Sequence, residues 1–159
     1  MLLGLLDTGC RATEFVSLDV GDVDLATGSV LVRLGKGGKA RSTFVGSTCK
    51  RELVRYLRYH PSPEPESPLW LTATGTRLSY EGLRMVLRRR SAQAGVPEPT
   101  LHSFRRAFAL LSLRNGADIF SLQRLMGHSD LGMLRRYLKQ TEEDLEDAHR
   151  RAGPVDNAL

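Results

Sequence analysis

The chain has 159 residues, of which 41% are apolar, 26% charged and 6% aromatic. That is one globular domain's length, enough to bury roughly 70% of the unfolded surface, and the composition excludes collagen, coiled coil and wholesale disorder. The 23 basic side chains outnumber the 18 acidic ones, and all but four are Arg, which grips phosphate or carboxylate with a two-pronged fork. A polyanion partner, nucleic acid first, fits this balance; a GC-rich genome explains it equally well.

No apolar run is long enough to span a membrane, and the opening residues reach Asp7 without the basic region of a signal peptide. Cys10 and Cys49 lack CxxC or zinc-finger spacing, which points to a reduced, metal-free, cytoplasmic protein.

Residues 2–6 are the end of an apolar helix that looks cut into at its start, broken at Thr8-Gly9. A short helix follows over 11–18. After a turn at Gly28, residues 30–34 are a β-branched strand, 35–39 a turn carrying Lys36 and Lys39, and 41–45 an alternating strand, which makes a hairpin. Residues 47–59 are a helix with Leu53, Tyr56 and Leu57 on one side. The 61–68 stretch, PSPEPESP, is an internal loop that no packed helix or strand tolerates, and Leu69-Trp-Leu71 is a short strand or core anchor. Ser79 caps a helix to about Gln93, stopped by Gly95 and Pro97. Helices over 102–115 and 119–126 end at Gly116 and Gly127. Ser129 caps a helix over 130–139, Thr141 caps a last one, and 153–159 is a loose tail. The predicted class is α+β, mainly helical, with one small antiparallel sheet in the N-terminal third.

Taken singly, the polar residues are ordinary. Arg11 and Glu14 stand three apart, as in any surface ion pair. His102 and Arg105 share a helix face, a pairing common by chance in an arginine-rich chain. Lys36 and Lys39 sit in a glycine turn without the ending of a P-loop, and Tyr137 lies at the edge of its helix's apolar stripe.

Taken in order they form a pattern. Thr8-Gly-Cys-Arg11-Ala-Thr-Glu14 precedes Gly35-Lys36-Gly-Gly-Lys39-Ala-Arg41. Then come His102-Ser-Phe-Arg105, Gly127-His128-Ser-Asp130 and Tyr137. This order resembles the catalytic domain of the tyrosine recombinase (phage integrase) family, over nearly the whole chain.

The resemblance implies a domain over 1–152, without the family's upstream core-binding clamp and with its first helix truncated. It implies six catalytic residues. Arg11 and Arg105 would grip the scissile phosphate, Lys36 would protonate the leaving 5′-oxygen, and His102 would act as base or hydrogen-bond partner. His128 would donate to a phosphate oxygen, and Tyr137 would attack to leave a 3′-phosphotyrosyl link. Glu14 would hold the arginine and histidine in place. Lys39, Arg41, Arg84 and Arg88 would contact DNA.

The residue types suit the chemistry. A five-coordinate phosphate concentrates charge that fixed cations stabilise, and a tyrosine hydroxyl near pKa 10 needs activation to attack at neutral pH. No metal or other cofactor is called for. The implied partner is double-stranded DNA, bound by a homotetramer in the full-length protein and by a monomer of the isolated domain, in the cytoplasm at the nucleoid. The segment after Tyr137 would dock on its own domain or on a neighbour's. Two rival readings are a truncated, non-cleaving DNA-binding remnant and a type IB topoisomerase-like enzyme.

Overall fold

Residues 1–33, 40–127, 146, 149–153 and 155 are described by the computed structural model. Among them the order is α1 (Leu2–Thr8), α2 (Ala12–Val16), a 3-10 turn (Val20–Asp22), β1 (Ser29–Val32), β2 (Arg41–Phe44), α3 (Ser47–Leu57), α4 (Tyr80–Ala94), α5 (Leu101–Arg114) and α6 (Ile119–Met126). The class is the mainly helical α+β one read from the sequence. No helix among the described residues is long and apolar enough to cross a membrane.

The strands pair antiparallel, Ser29 opposite Phe44 and Val32 opposite Arg41. Alternation turns Val30, Val32 and Thr43 inward. β1 stops at Val32, earlier than the expected Leu34. α2 is shorter than expected because Arg11 is its extended N-cap. At the far end, the Leu18 carbonyl leaves the helix pattern to accept from the Leu69 N–H at 2.9 Å and from Arg77 Nη1 at 3.2 Å. α3 ends at Leu57, where the Tyr59 and His60 N–H groups turn back to the carbonyls of Tyr56 and Leu57, three-residue bonds that close a helix.

α4 matches its signals. The Ser79 hydroxyl accepts from the Gly82 N–H at 3.0 Å, and Gly95 ends the helix at φ +66°. Leu83 and Leu87 are buried while Arg84, Arg88, Arg89 and Arg90 are exposed. Thr100 and Asp118, absent from the expected caps, start α5 and α6 with their side-chain oxygens.

The main core joins α1–α4 and the hairpin around Phe15, Leu69, Trp70 and Leu83. Phe15 and Trp70 stack with ring centroids 4.8 Å apart. Leu69 and Trp70 are thus a core anchor, held by isolated bridges at Pro68 and Leu71. The proline loop is pinned to the fold: the carbonyls of Pro65 and Ser67 accept from Gly21 and Val20, and His60 Nε2 meets Pro68 O at 2.9 Å. A smaller cluster of Ala109, Leu122 and Met126 joins α5 to α6, and α5 also packs on α1 while α6 packs on β2. The expected helix over 130–139 and the start of the last one lie outside the described residues. Residues 149–152 are helical, and so is Val155, where a loose tail was expected; the Gly153 N–H continues the helical pattern by donating to the His149 carbonyl.

Candidate active site

Glu14 is the centre of a cluster drawn from four segments. On the first turn of α2 it accepts the Arg11 backbone N–H at 2.8 Å on Oε2 and Arg11 Nη1 at 2.8 Å on Oε1. Arg41, at the start of β2, approaches as a fork: Nη1 donates to Oε1 at 3.0 Å and Nη2 to Oε2 at 2.7 Å. The carboxylate thus takes four hydrogen bonds, about its full acceptor capacity. Burial pushes the Glu14 carboxyl up, but the Arg41 and Arg11 bonds outweigh it and hold the carboxyl below the usual carboxylate range.

Arg105 reaches the same place from α5. Leu101, Arg105 and Ala109 form the buried stripe of that helix, four residues apart and so on one face. The guanidinium therefore points inward. Nη1 donates to the Gly9 carbonyl at 2.7 Å and Nη2 to the Met126 carbonyl at 2.6 Å, while Nη1 stays 4.0 Å from Glu14 Oε2. Burial, then Arg11, pull Arg105 down to about 10, so it keeps its charge at neutral pH.

Two glycines permit these approaches. Gly9 ends α1 at φ +59°, and a Cβ there would overlap the Phe108 ring of α5. Gly127 ends α6 at φ +63°, and a Cβ there would lie 2.7 Å from Arg41 Cδ. Both positions need glycine for conformation and for space. At the end of α6, Arg41 Nε donates to the Leu125 carbonyl at 3.0 Å and Arg105 to that of Met126. Two guanidiniums thus cap the negative pole of this helix.

Arg11, Glu14 and Arg105 are therefore brought together. His102 is exposed on the first turn of α5, three residues before Arg105. Arg41, expected at the DNA backbone, is committed to Glu14 and Leu125, its side chain only 10% exposed; β2 alternation, which turns Arg41 inward with Thr43, is the signal that would have found this. Arg84 and Arg88 do face solvent, in loose pairs with Glu81 and Glu98 at 3.4 and 3.9 Å. Lys36, Lys39, His128 and Tyr137 lie outside the described residues. Among the described residues, three guanidiniums around one carboxylate leave two positive charges in excess, an arrangement able to bind a phosphate and to stabilise further charge developing on it.

The sequence profile of the phage integrase family matches residues 1–144. The chain belongs to the phage integrase family. Its relatives there include tyrosine recombinase XerD of Listeria monocytogenes serotype 4b (strain F2365), 33% identical over 94% of this chain and 52% of that protein. Tyrosine recombinase XerC of Staphylococcus saprophyticus (strain ATCC 15305) is 36% identical over 94% of this chain and 51% of that protein. The chain spans about half the length of the curated relatives it matches. Among solved structures, the XerA recombinase superposes with a TM-score of 0.79 at 28% identity, over 93% of this chain and 55% of that one. The fold is also shared with the XerH site-specific recombinase, solved bound to a palindromic difH substrate, at a TM-score of 0.73 and 24% identity, over 92% of this chain and 43% of that one.

Proposed function

We propose that this chain, over residues 1–152, is the catalytic domain of a site-specific DNA recombinase that cuts and rejoins strands through a 3′-phosphotyrosyl intermediate. The observation that carries the reading is the convergence of Arg11 and Arg105 beside Glu14 from segments some 90 residues apart, with positive charge to spare. Arg11 and Arg105 hold the non-bridging oxygens of the scissile phosphate. Tyr137 attacks phosphorus, its proton passing to His102 or to solvent, and the P–O bond to the 5′-oxygen breaks. Lys36 gives that oxygen its proton, and His128 donates to a phosphate oxygen. Rejoining reverses the sequence with a 5′-hydroxyl of another strand. All the energy of the broken phosphodiester is kept in the tyrosyl ester, so the exchange needs no other reactant.

The partner is double-stranded DNA, with Arg84, Arg88 and Lys39 at its backbone and a homotetramer as the recombining assembly. Several fold neighbours were solved on DNA, among them XerH on difH and the Tn1549 transposon integrase on transposon right end DNA. The relatives' names favour strand exchange over topoisomerase-like relaxation.

The test is covalent trapping on a pool of nicked duplexes of randomised sequence, resolved on a denaturing gel. Wild type is expected to give a protein–DNA adduct and Tyr137→Phe none. An adduct that persists in Tyr137→Phe removes the assigned nucleophile, and none with either protein overturns the cleavage reading.

A further inference from the structure

The Glu14 carboxylate poses a problem for a phosphate site built around it. A buried anion within reach of the arginines competes with the incoming phosphate for the same guanidiniums, because a carboxylate and a phosphate oxygen ask for the same forked bonds. In the structure the Glu14 carboxylate already has a full set of partners. Both Glu14 oxygens are taken by the Arg41 fork, and the remaining capacity by the backbone N–H and one nitrogen of Arg11. Arg105 stands 4.0 Å away and donates instead to Gly9 and Met126. Arg11, with its side chain 31% exposed, spends only Nη1 on the carboxylate.

We propose that Arg41 is a positioning residue that saturates Glu14 and so keeps Arg105, and the outer edge of Arg11, from being drawn onto the carboxylate and away from the DNA phosphate. The proposal rests on the recombinase reading above and assigns a role to a residue whose fork is spent on Glu14. The bond from Arg41 Nε to the Leu125 carbonyl and the approach of Gly127 to its side chain hold the fork in place from behind. Lys cannot reproduce it: one ammonium offers no planar pair of donors to two carboxylate oxygens while a third N–H serves Leu125. Without Arg41, two acceptor positions on a buried carboxylate open beside Arg105. The nearest cation moves in to fill them, because a buried charge without partners is costly, and the phosphate loses its second arginine.

A supporting role and a shielding role for Arg41 predict different behaviour when Glu14 is neutralised as well. If Arg41 merely props Glu14 in a useful position, removing the carboxylate restores nothing. If Arg41 shields the arginines from Glu14, removing the carboxylate charge releases them again. The test measures the initial rate of covalent adduct formation on the nicked-duplex pool for wild type, Arg41→Ala, Arg41→Lys, Glu14→Gln and the double variant Arg41→Ala/Glu14→Gln, each checked for fold by circular dichroism.

Arg41→Ala is expected to lose about 10²-fold, the size of losing one charge-stabilising donor set. Arg41→Lys should fall between it and wild type. The double variant should form adduct at least about tenfold faster than Arg41→Ala. If Arg41→Ala proves unfolded, the Arg41→Lys/Glu14→Gln pair asks the same question against Arg41→Lys. A double variant no faster than its Arg41 parent, or an Arg41→Ala rate matching wild type, overturns the proposal while leaving the recombinase reading intact. Absence of adduct from wild type overturns the recombinase reading, and the Arg41 role with it.

Discussion

Two clusters of acids and arginines flank α2, one at each end, and they differ in how their charges sum. Beyond its C-terminal end, Asp22 pairs with Arg33 and Asp19 with Arg77, two acids for two bases, with arginine side chains 56% and 40% exposed. Arg77 also donates to the carbonyls of Val16 and Leu18, closing the end of α2. At the N-terminal end one carboxylate meets three arginines, and Arg41 and Arg105 are almost wholly enclosed. The neutral cluster is complete in itself and ties the 3-10 turn and the residue 72–77 turn to the core. Among the described residues the positive cluster is incomplete: its buried excess charge is offset only in part by the carbonyls of Gly9, Leu125 and Met126. Charge balance within a cluster, rather than the number of ion pairs, separates scaffold from site.

The sharpest way to break this contrast is Arg105→Lys. It keeps the charge and loses the fork, and the adduct-forming rate should fall about 10²- to 10³-fold; a rate near wild type would make the positive cluster mere scaffold. Next is acid stability. The folded chain holds the Glu14 carboxyl below its ordinary range, whereas the unfolded chain does not. The stabilisation is therefore fully present above the ordinary carboxylate pKa and is lost as pH falls through the folded value. Melting temperatures followed by circular dichroism between pH 3 and 7 should drop on the acid side, and Glu14→Gln should flatten that limb.

A smaller effect is expected in the neutral cluster. Arg77→Ala should lower unfolding free energy by about 1 kcal/mol, discounted for its exposure, while leaving the adduct rate of the folded protein unchanged; a large rate loss would erase the distinction between the clusters. Smallest in stability are Arg84→Ala and Arg88→Ala on the outer face of α4, under about 0.5 kcal/mol each. Each should instead weaken DNA binding and reduce the slope of log affinity against log salt by about one, measured by fluorescence anisotropy on a labelled duplex. An unchanged slope would leave those residues as solvated surface.

What the sequence made legible follows from the range of the forces involved. α4 and α6 were readable almost to the residue, because an apolar repeat and a terminal glycine, joined in α4 by the Ser79 capping hydroxyl, act over three or four positions. Arg11 beside Glu14 was readable for the same reason. The ends of α2 and β1 were not, since Leu18 and Val32 obey partners in the Leu69 and Arg41 segments. Arg41 was expected at the DNA backbone from the resemblance, whereas strand alternation turns it inward with Thr43 onto Glu14. The inward aim of Arg105 was hidden by its kinship in the pattern with His102, which stays at the surface. The bonds to Gly9, Met126 and Leu125 depend on how α1, α5, α6 and the hairpin dock, and no local pattern encodes that.

The arginine forks also set an order in time. The bond from Arg105 to Gly9 spans 96 residues and that from Arg41 to Leu125 spans 84. Contacts this distant along the chain pay their closure entropy late in folding. A chain emerging from the ribosome can build the hairpin and the Phe15–Trp70 core while Arg105 and α6 are still unmade. The arginine cluster is thus among the last features the molecule acquires, and a partly synthesised or partly folded copy has not yet gathered Arg11, Arg41 and Arg105 around Glu14.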